Sequence, residues 1–138
     1  MSFREKSAWI TLISILLVSV LYFLHFPVPH GHPPDPWMFH ATLACVGVFI
    51  IIEVIAHVIL YLRYPRDART PKDERERLID LKALRIAAYV YVVGSFAAVA
   101  TTHLGADGFA VGYGVLLAFV LAEVVNCIMR IYYYRRGF

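Results

Sequence analysis

Four long apolar runs constrain the fold of this chain more than any other feature of its sequence. Their approximate bounds are 8–26, 37–62, 83–103 and 109–133. A helix needs about 20 apolar residues to cross the hydrocarbon layer of a bilayer. A water-soluble domain of 138 residues could not bury a chain that is 60% hydrophobic. The sequence therefore predicts an all-α, polytopic membrane protein, with four transmembrane helices in a single domain over 1–138.

The basic residues all fall on one side of these predicted spans. They precede the first run, fill the segment 63–82, continue to Arg85 at the start of the third run, and finish the fourth run, whereas the loops 27–36 and 104–108 contain none. Because Lys and Arg mark the cytoplasmic side of a membrane protein, both termini and the middle loop are expected in the cytoplasm. The same bias accounts for the net charge of +3, so no nucleic-acid partner is expected.

The middle loop, 63–82, is predicted to be helical. Thr70 and Pro71 are typical of a helix cap and a first helical position, and no helix breaker follows before Gly94. One helix is therefore expected to run from Pro71 through the third span. Its charged residues form either a solvated face or a docking surface for a cytoplasmic or membrane protein partner. These residues are Asp73, Glu74, Arg75, Glu76 and Arg77.

Two acidic residues lie well inside apolar runs, Glu53 in the second and Glu123 in the fourth. Each is followed by a tail rich in Tyr and Arg. The first and third runs match in outline, since His25 and His103 both lie near their ends. The chain is therefore interpreted as two copies of a two-helix unit, although two apolar helices also align readily by chance.

A charged side chain deep in a bilayer costs about 2.5–3.5 kcal/mol on insertion scales, so such residues usually face the interior of a bundle. His57 lies one turn beyond Glu53, while Asn126 and Arg130 follow Glu123 on the same side of their helix. Two interpretations remain open. The group is a proton- or cation-binding site of a small transporter or channel, or it is a structural pair that holds helices together.

Five histidines lie at or beyond the boundary opposite the basic loops. They are His25, His30, His32, His40 and His103. Imidazole is a common ligand for transition metals, and histidines on adjacent helices can ligate haem iron. The group is a candidate metal or haem site at the outer face. The alternative is that histidine is the polar residue tolerated at this interface.

No convincing nucleophile–base pair is visible in the sequence, which favours a non-enzymatic role. The first functional hypothesis is an accessory or regulatory membrane subunit whose glutamate pair organises the core. The alternatives are a proton- or cation-linked transporter or channel using Glu53 and Glu123, and a metal- or haem-binding protein using the outer histidines. A bundle of four helices has little interior, and Gly108 and Gly112 form a GxxxG pattern. A homodimer is therefore expected.

The start of the third helix resembles a family of small, uncharacterised bacterial four-helix membrane proteins. The residues that carry the resemblance are the acidic stretch Asp73-Glu74-Arg75-Glu76-Arg77-Leu78-Ile79-Asp80, then Lys82-Ala83, and Ala88-Tyr89-Val90 in the span. The resemblance implies four spans and a location in the bacterial inner membrane. The family has no established activity that could be transferred to this chain.

Overall fold

The computed structural model describes residues 3–26 and 36–136, which are helical apart from short turns. The helices are α1 (Phe3–His25), α2 (Pro36–Arg63), α3 (Pro65–Arg69), α4 (Glu74–Ala100) and α5 (Gly108–Arg136), with a 3-10 turn over Thr101–Leu104 that prolongs α4. Four of them, namely α1, α2, α4 and α5, are long and apolar enough to cross a membrane. The predicted fold class, an all-α protein with four membrane-spanning helices, is confirmed, and the chain is an integral membrane protein.

The third long helix begins nine residues before the predicted span at 83, so α4 combines the second half of the middle loop with the span. Its cap is not at Thr70. The cap is Asp73, whose carboxylate accepts a hydrogen bond from the main-chain N–H of Glu74 at 2.7 Å. The prediction of the start at Pro71 was wrong because a carboxylate closer to the helix satisfies its first N–H.

Gly105 ends the third span, as the sequence predicts. Its φ of 85° is in the left-handed region that glycine adopts without strain. Its N–H reaches back to the carbonyl of Thr102 at 3.0 Å, which closes the 3-10 turn. The chain then reverses direction within a few residues and enters α5 at Gly108.

Within the described residues, the long helices pack in the order α2–α1–α5–α4, and each is antiparallel to its neighbour. The starts of α1 and α4 and the ends of α2 and α5 therefore meet at one end of the bundle. We refer to it as the basic end, because Lys and Arg collect there. Contacts of Arg4 with Glu76, Glu5 with Arg135 and Lys6 with Tyr64 join all four helices at this end.

The α1–α5 seam supplies the buried core. Its centre is a cluster of Ala8, Leu12, Cys127 and Ile131, each less than 10% exposed. At the end opposite the basic end, the Tyr113 hydroxyl donates to the carbonyl of Phe26 at 2.7 Å. Helix α1 is thus fixed to α5 at both ends and in the middle.

The α4–α5 seam is a close contact between small residues. A Cβ added at Gly94 would lie 2.7 Å from Ala118 Cβ, and one added at Gly114 would lie 2.9 Å from Ala98 Cβ. Gly112, in contrast, has open space around its Cα. The small residues of α5 therefore form two separate stripes, and among the described residues the one through Gly114 and Ala118 packs against α4.

The α1–α2 seam is held by polar side chains instead. The hydroxyls of Tyr22 and Thr42 are 2.8 Å apart near the end opposite the basic end. Further in, Ser7 and Thr11 face His57 and Glu53. Apolar grooves flank this seam, so the two hairpins of the chain are packed by different means.

The two hairpins, α1–α2 and α4–α5, nevertheless have the same register. The shift that superposes Glu53 on Glu123 is 70 positions, and the shift that superposes His25 on His103 is 78 positions. If the chain consists of two copies of one unit, adding these shifts to two residues that face each other in the first hairpin should give two residues that face each other in the second.

The facing pair Tyr22–Thr42 sets the register of the first hairpin. Val20 and Ala44 lie two residues deeper in the bundle than Tyr22 and Thr42. Adding the shifts of 78 and 70 positions to their numbers gives Ala98 and Gly114 in the second hairpin. These two residues are in contact, as equal registers require. Equal registers are required of a repeated two-helix unit but do not establish one, and the interpretation of the chain as two copies stays a prediction.

Candidate functional site

Glu53 lies on the face of α2 that packs against α1, and its side chain is 18% exposed. One carboxylate oxygen, Oε2, accepts a hydrogen bond from the Thr11 hydroxyl at 3.0 Å and lies 3.3 Å from His57 Nδ1. The other oxygen, Oε1, is buried without a hydrogen-bond partner among the described residues. A buried oxygen without a hydrogen-bond partner has a desolvation cost that a bound hydrogen-bond donor would remove.

His57 connects Glu53 to α1. Its Nδ1 lies 2.9 Å from the main-chain carbonyl of Glu53, one turn earlier in α2. Because that carbonyl can only accept, Nδ1 donates, and in the neutral ring Nε2 is left as an acceptor. The Ser7 hydroxyl lies 2.9 Å from Nε2 and donates to it. The hydrogen bonds of His57 therefore run from the Ser7 hydroxyl to the main-chain carbonyl of Glu53, and the Glu53 carboxylate lies 3.3 Å from the same Nδ1.

Ser7 and His57 form a hydroxyl–imidazole pair that the sequence does not reveal. Such a pair can relay a proton between a donor and an acceptor. Acyl transfer would in addition need donors placed to bind an oxyanion. Proton transfer is therefore the chemistry that this arrangement supports most directly.

Glu123 occupies the position on α5 that corresponds to Glu53, but its surroundings differ. Its Oε2 accepts a hydrogen bond from Asn126 on the same helix at 3.4 Å. The Cys127 thiol lies within electrostatic reach of both Glu53 and Glu123. The two glutamates thus lie in one region of the bundle, and each has its own polar partners.

Arg130 was grouped with the glutamates on the basis of sequence spacing. The structure places its guanidinium 3.0 Å from the Asp80 carboxylate of α4, which also pairs with Lys72. Arg130 therefore belongs to the ion pairs that join α5 to α4 near the basic end. Asp80 was missed as its partner because sequence spacing within one helix says nothing about the neighbouring helix.

An apolar cavity of about 110 Å³ lies between α1, α2 and α5, on the side of Glu53 away from the basic end. Phe49, one turn before Glu53, and Val120, one turn before Glu123, line its inner part. Tyr22 and Thr42 line its outer part. The polar group around Glu53 is thus separated from the opposite face of the bundle by apolar walls.

The outer histidines are only partly described, because His30 and His32 lie outside the described residues. His25 is exposed at the last residue of α1, and His40 is exposed in the first turns of α2. His103 is exposed in the 3-10 turn after α4. Within residues 3–26 and 36–136, no three His, Cys, Asp or Glu side chains are grouped to hold a metal. The metal or haem site stays a prediction.

The charged residues predicted to bind a partner divide into two groups. Glu76 lies 3.8 Å from Arg4 of α1, and Asp73 caps α4. Both therefore have structural roles. Glu74, Arg75 and Arg77 are exposed on the first turn of α4, outside the bundle.

Sequence reasoning missed Ser7 and Thr11, the partners of the Glu53 site on α1. The signal was present, because Ser7 and Thr11 are four residues apart, as are Glu53 and His57. Four residues make one helical turn, so the two pairs match across an antiparallel seam. Nothing in the sequence, however, sets the register of that seam.

Comparison with other proteins does not add to this geometry. No family model, curated protein or solved structure matches the chain. The resemblance to a family of small bacterial four-helix proteins stays a prediction. What the chain is known to be rests on its own structure: an integral membrane protein of four long helices with a polar group between α1 and α2.

Proposed function

We propose that this protein is a small proton-linked transporter or channel in which Glu53 binds and releases the proton. The observation that carries the proposal is the buried, unpartnered Oε1 of Glu53 inside a membrane-spanning helix. A proton on this carboxyl removes a charge from apolar surroundings. Its release leaves a carboxylate that Thr11 and His57 stabilise through Oε2.

The route of the proton to Glu53 is supported by the hydrogen bonds of His57. Ser7 lies in the second turn of α1, close to the basic end, and its hydroxyl meets His57 Nε2. A proton taken up at Nε2 can leave from Nδ1 once the Nδ1–H, which donates to the main-chain carbonyl of Glu53, turns to the carboxylate oxygen 3.3 Å away. Access to Glu53 is therefore proposed to open toward the basic end.

The side chains in contact with the Glu53 carboxylate come from two helices. On its own helix the neighbour is His57, 3.3 Å from the carboxylate. Helix α1 contributes the Thr11 hydroxyl, which donates to Oε2 at 3.0 Å, and the Ser7 hydroxyl, which meets His57.

The apolar cavity beyond Glu53 is proposed to act as the barrier between the site and the opposite face. Cavities with apolar walls tend to stay dry, and a dry segment does not conduct protons. Transport would then require that the cavity become wet or that α2 move relative to α1. The polar, cavity-lined α1–α2 seam is better suited to such a movement than the close-packed α4–α5 seam.

The direct test uses purified protein in liposomes with a pH-sensitive dye inside. An imposed potassium gradient with valinomycin drives protons through the unmodified protein, and the flux through Glu53→Gln should fall to that of empty liposomes. Flux that is unchanged in this variant would contradict the proposal. In a second experiment, sodium is added at constant pH. Inhibition of the proton flux would show that the cation competes with the proton for Glu53.

Glu123→Gln is the matched control, since it makes the same chemical change at the equivalent position of the second hairpin. Glu123 accepts a hydrogen bond from Asn126 on its own helix, and among the described residues no imidazole is in contact with it. We expect this variant to keep most of the flux. Equal loss in both variants would instead indicate that the two glutamates act together.

A second candidate function is that of an accessory subunit that binds a partner protein through the start of α4. The observation in its favour is that Glu74, Arg75 and Arg77 are exposed on a helix that continues outside the bundle. A photo-crosslinking residue at position 75 should then form an adduct with a protein other than a second copy. Cross-linking to lipid alone would contradict this role.

The location that fits both functions is the bacterial inner membrane, with the basic end and both termini in the cytoplasm. The one-sided distribution of Lys and Arg supports this orientation.

A homodimer is part of the proposal, since the four helices form a thin bundle whose α2 and α4 each have one packed side.

A further inference from the structure

A groove of about 350 Å³ lies between α1 and α2 at the basic end, and Glu53 is not among its lining residues. Lys6 and Arg63 lie at its mouth, together with Tyr64. Its walls deeper in the bundle are apolar and include Ile10 and Ile59. The groove therefore changes from cationic to apolar along the helix axis.

The cations at this groove differ from the others at the basic end in their partners. Elsewhere at the basic end, carboxylates pair with the cations, as Glu5 does with Arg135 and Asp80 with Arg130. Among the described residues, no carboxylate lies within ion-pair distance of Lys6 or Arg63. Lys6 Nζ instead lies 3.7 Å from the centre of the Tyr64 ring.

The depth of the groove matches the boundary between headgroups and acyl chains. Lys6 is in the first turns of α1, and Arg63 is the last residue of α2. Ile10 is one turn deeper, which is about 6 Å at 1.5 Å per residue. A ligand that fills the groove must therefore carry negative charge at the level of the helix ends and hydrocarbon below it.

We infer that this groove binds an anionic phospholipid of the leaflet at the basic end. The phosphate would lie between Lys6 and Arg63, where the Tyr64 hydroxyl is a further donor, and one acyl chain would follow Ile10 and Ile59. Basic pockets between spans are suited to such headgroups, and each cation raises the affinity for an anionic headgroup about fivefold. Free phosphate would leave the apolar half of the groove unused.

Trp9 lines the groove and provides the measurement. The chain has two tryptophans, so Trp37→Phe leaves Trp9 as the only indole fluorophore. The protein is placed in vesicles that contain equal fractions of phosphatidylglycerol and phosphatidylcholine, with bromine on the acyl chains of one lipid at a time. We expect Trp9 to be quenched more strongly by brominated phosphatidylglycerol than by brominated phosphatidylcholine.

The variant Arg63→Gln should lower this preference about fivefold. Arg63 is exposed and forms no ion pair within residues 3–26 and 36–136, so its loss should leave the protein folded. Lys6→Gln should act in the same direction, and Lys6→Arg should restore the preference. The matched control is Arg75→Gln, which removes one charge from the exposed start of α4 and should leave the preference unchanged.

Three results would overturn the inference. The first is equal quenching of Trp9 by the two brominated lipids. The second is a preference that Arg63→Gln leaves intact or that Arg75→Gln lowers equally. The third is loss of the preference on addition of inorganic phosphate, which would assign the groove to a free anion. None of these measurements depends on proton flux, so the inference stands or falls independently of the role of Glu53.

Discussion

The Ser7 hydroxyl lies 2.9 Å from His57 Nε2 and joins the first membrane-spanning helix to the second. Ser7 and His57 are 50 residues apart in sequence. Their contact fixes the imidazole so that Nδ1 faces the main chain and the carboxylate of Glu53. The α1–α2 seam therefore depends on polar contacts where the α4–α5 seam depends on small residues.

Ser7→Ala should weaken this seam, since it leaves the half-buried Nε2 of His57 without a donor. Hydrogen bonds between spans contribute about 0.6 kcal/mol on average, so we expect a loss of about 0.5–1.5 kcal/mol in the free energy of unfolding. Reversible unfolding in mixed micelles measures it. Ser14→Ala on the same helix is the control, and an equal effect there would refute the assignment.

Gly94→Ala should destabilise the α4–α5 seam. The added Cβ would lie 2.7 Å from Ala118 Cβ, which forces the two helices apart. Overpacking of this kind costs about 1–3 kcal/mol. Gly112→Ala, which enters open space, should leave the free energy of unfolding unchanged or raise it. The double variant Gly94→Ala/Ala118→Gly should recover most of the loss, and failure to recover would mean that the seam is not the cause.

Asp80→Asn should loosen the start of α4 from the rest of the bundle. Asp80 pairs with Arg130 at 3.0 Å and with Lys72, and its side chain is 24% exposed. Loss of a partly buried charged partner costs about 1–3 kcal/mol. Hydrogen exchange of α4 amides near the basic end should rise. Glu74→Gln, which removes the same charge from an exposed position, should have no such effect.

Accessibility labelling tests the orientation that the basic residues predict. In a variant without Cys45 and Cys127, cysteine at position 75 should react with an impermeant maleimide only after the membrane is opened. Cysteine in place of Leu104, which is 88% exposed after α4, should react in intact cells. The reverse pattern would place the basic end outside and would contradict the proposed access of protons from the cytoplasm.

The sequence by itself determined the number and extent of the spans. A bilayer offers no partners to the main chain, so each long apolar run must form a helix. Local signals placed some ends correctly, as at Gly105, where only glycine adopts the observed φ without strain. They failed at Thr70, because the choice of cap among nearby polar residues depends on the full geometry of the turn.

The tertiary structure alone decided which helix faces meet. In a membrane the hydrophobic effect does not distinguish one apolar face from another, so packing and polar contacts select the neighbours. The packing of the helices places Ser7 and Thr11 beside His57 and Glu53, and it pairs Arg130 with Asp80. The sequence identified Glu53 as a costly charge, but its unpartnered oxygen and its connection to the basic end follow from the packing of α1 against α2.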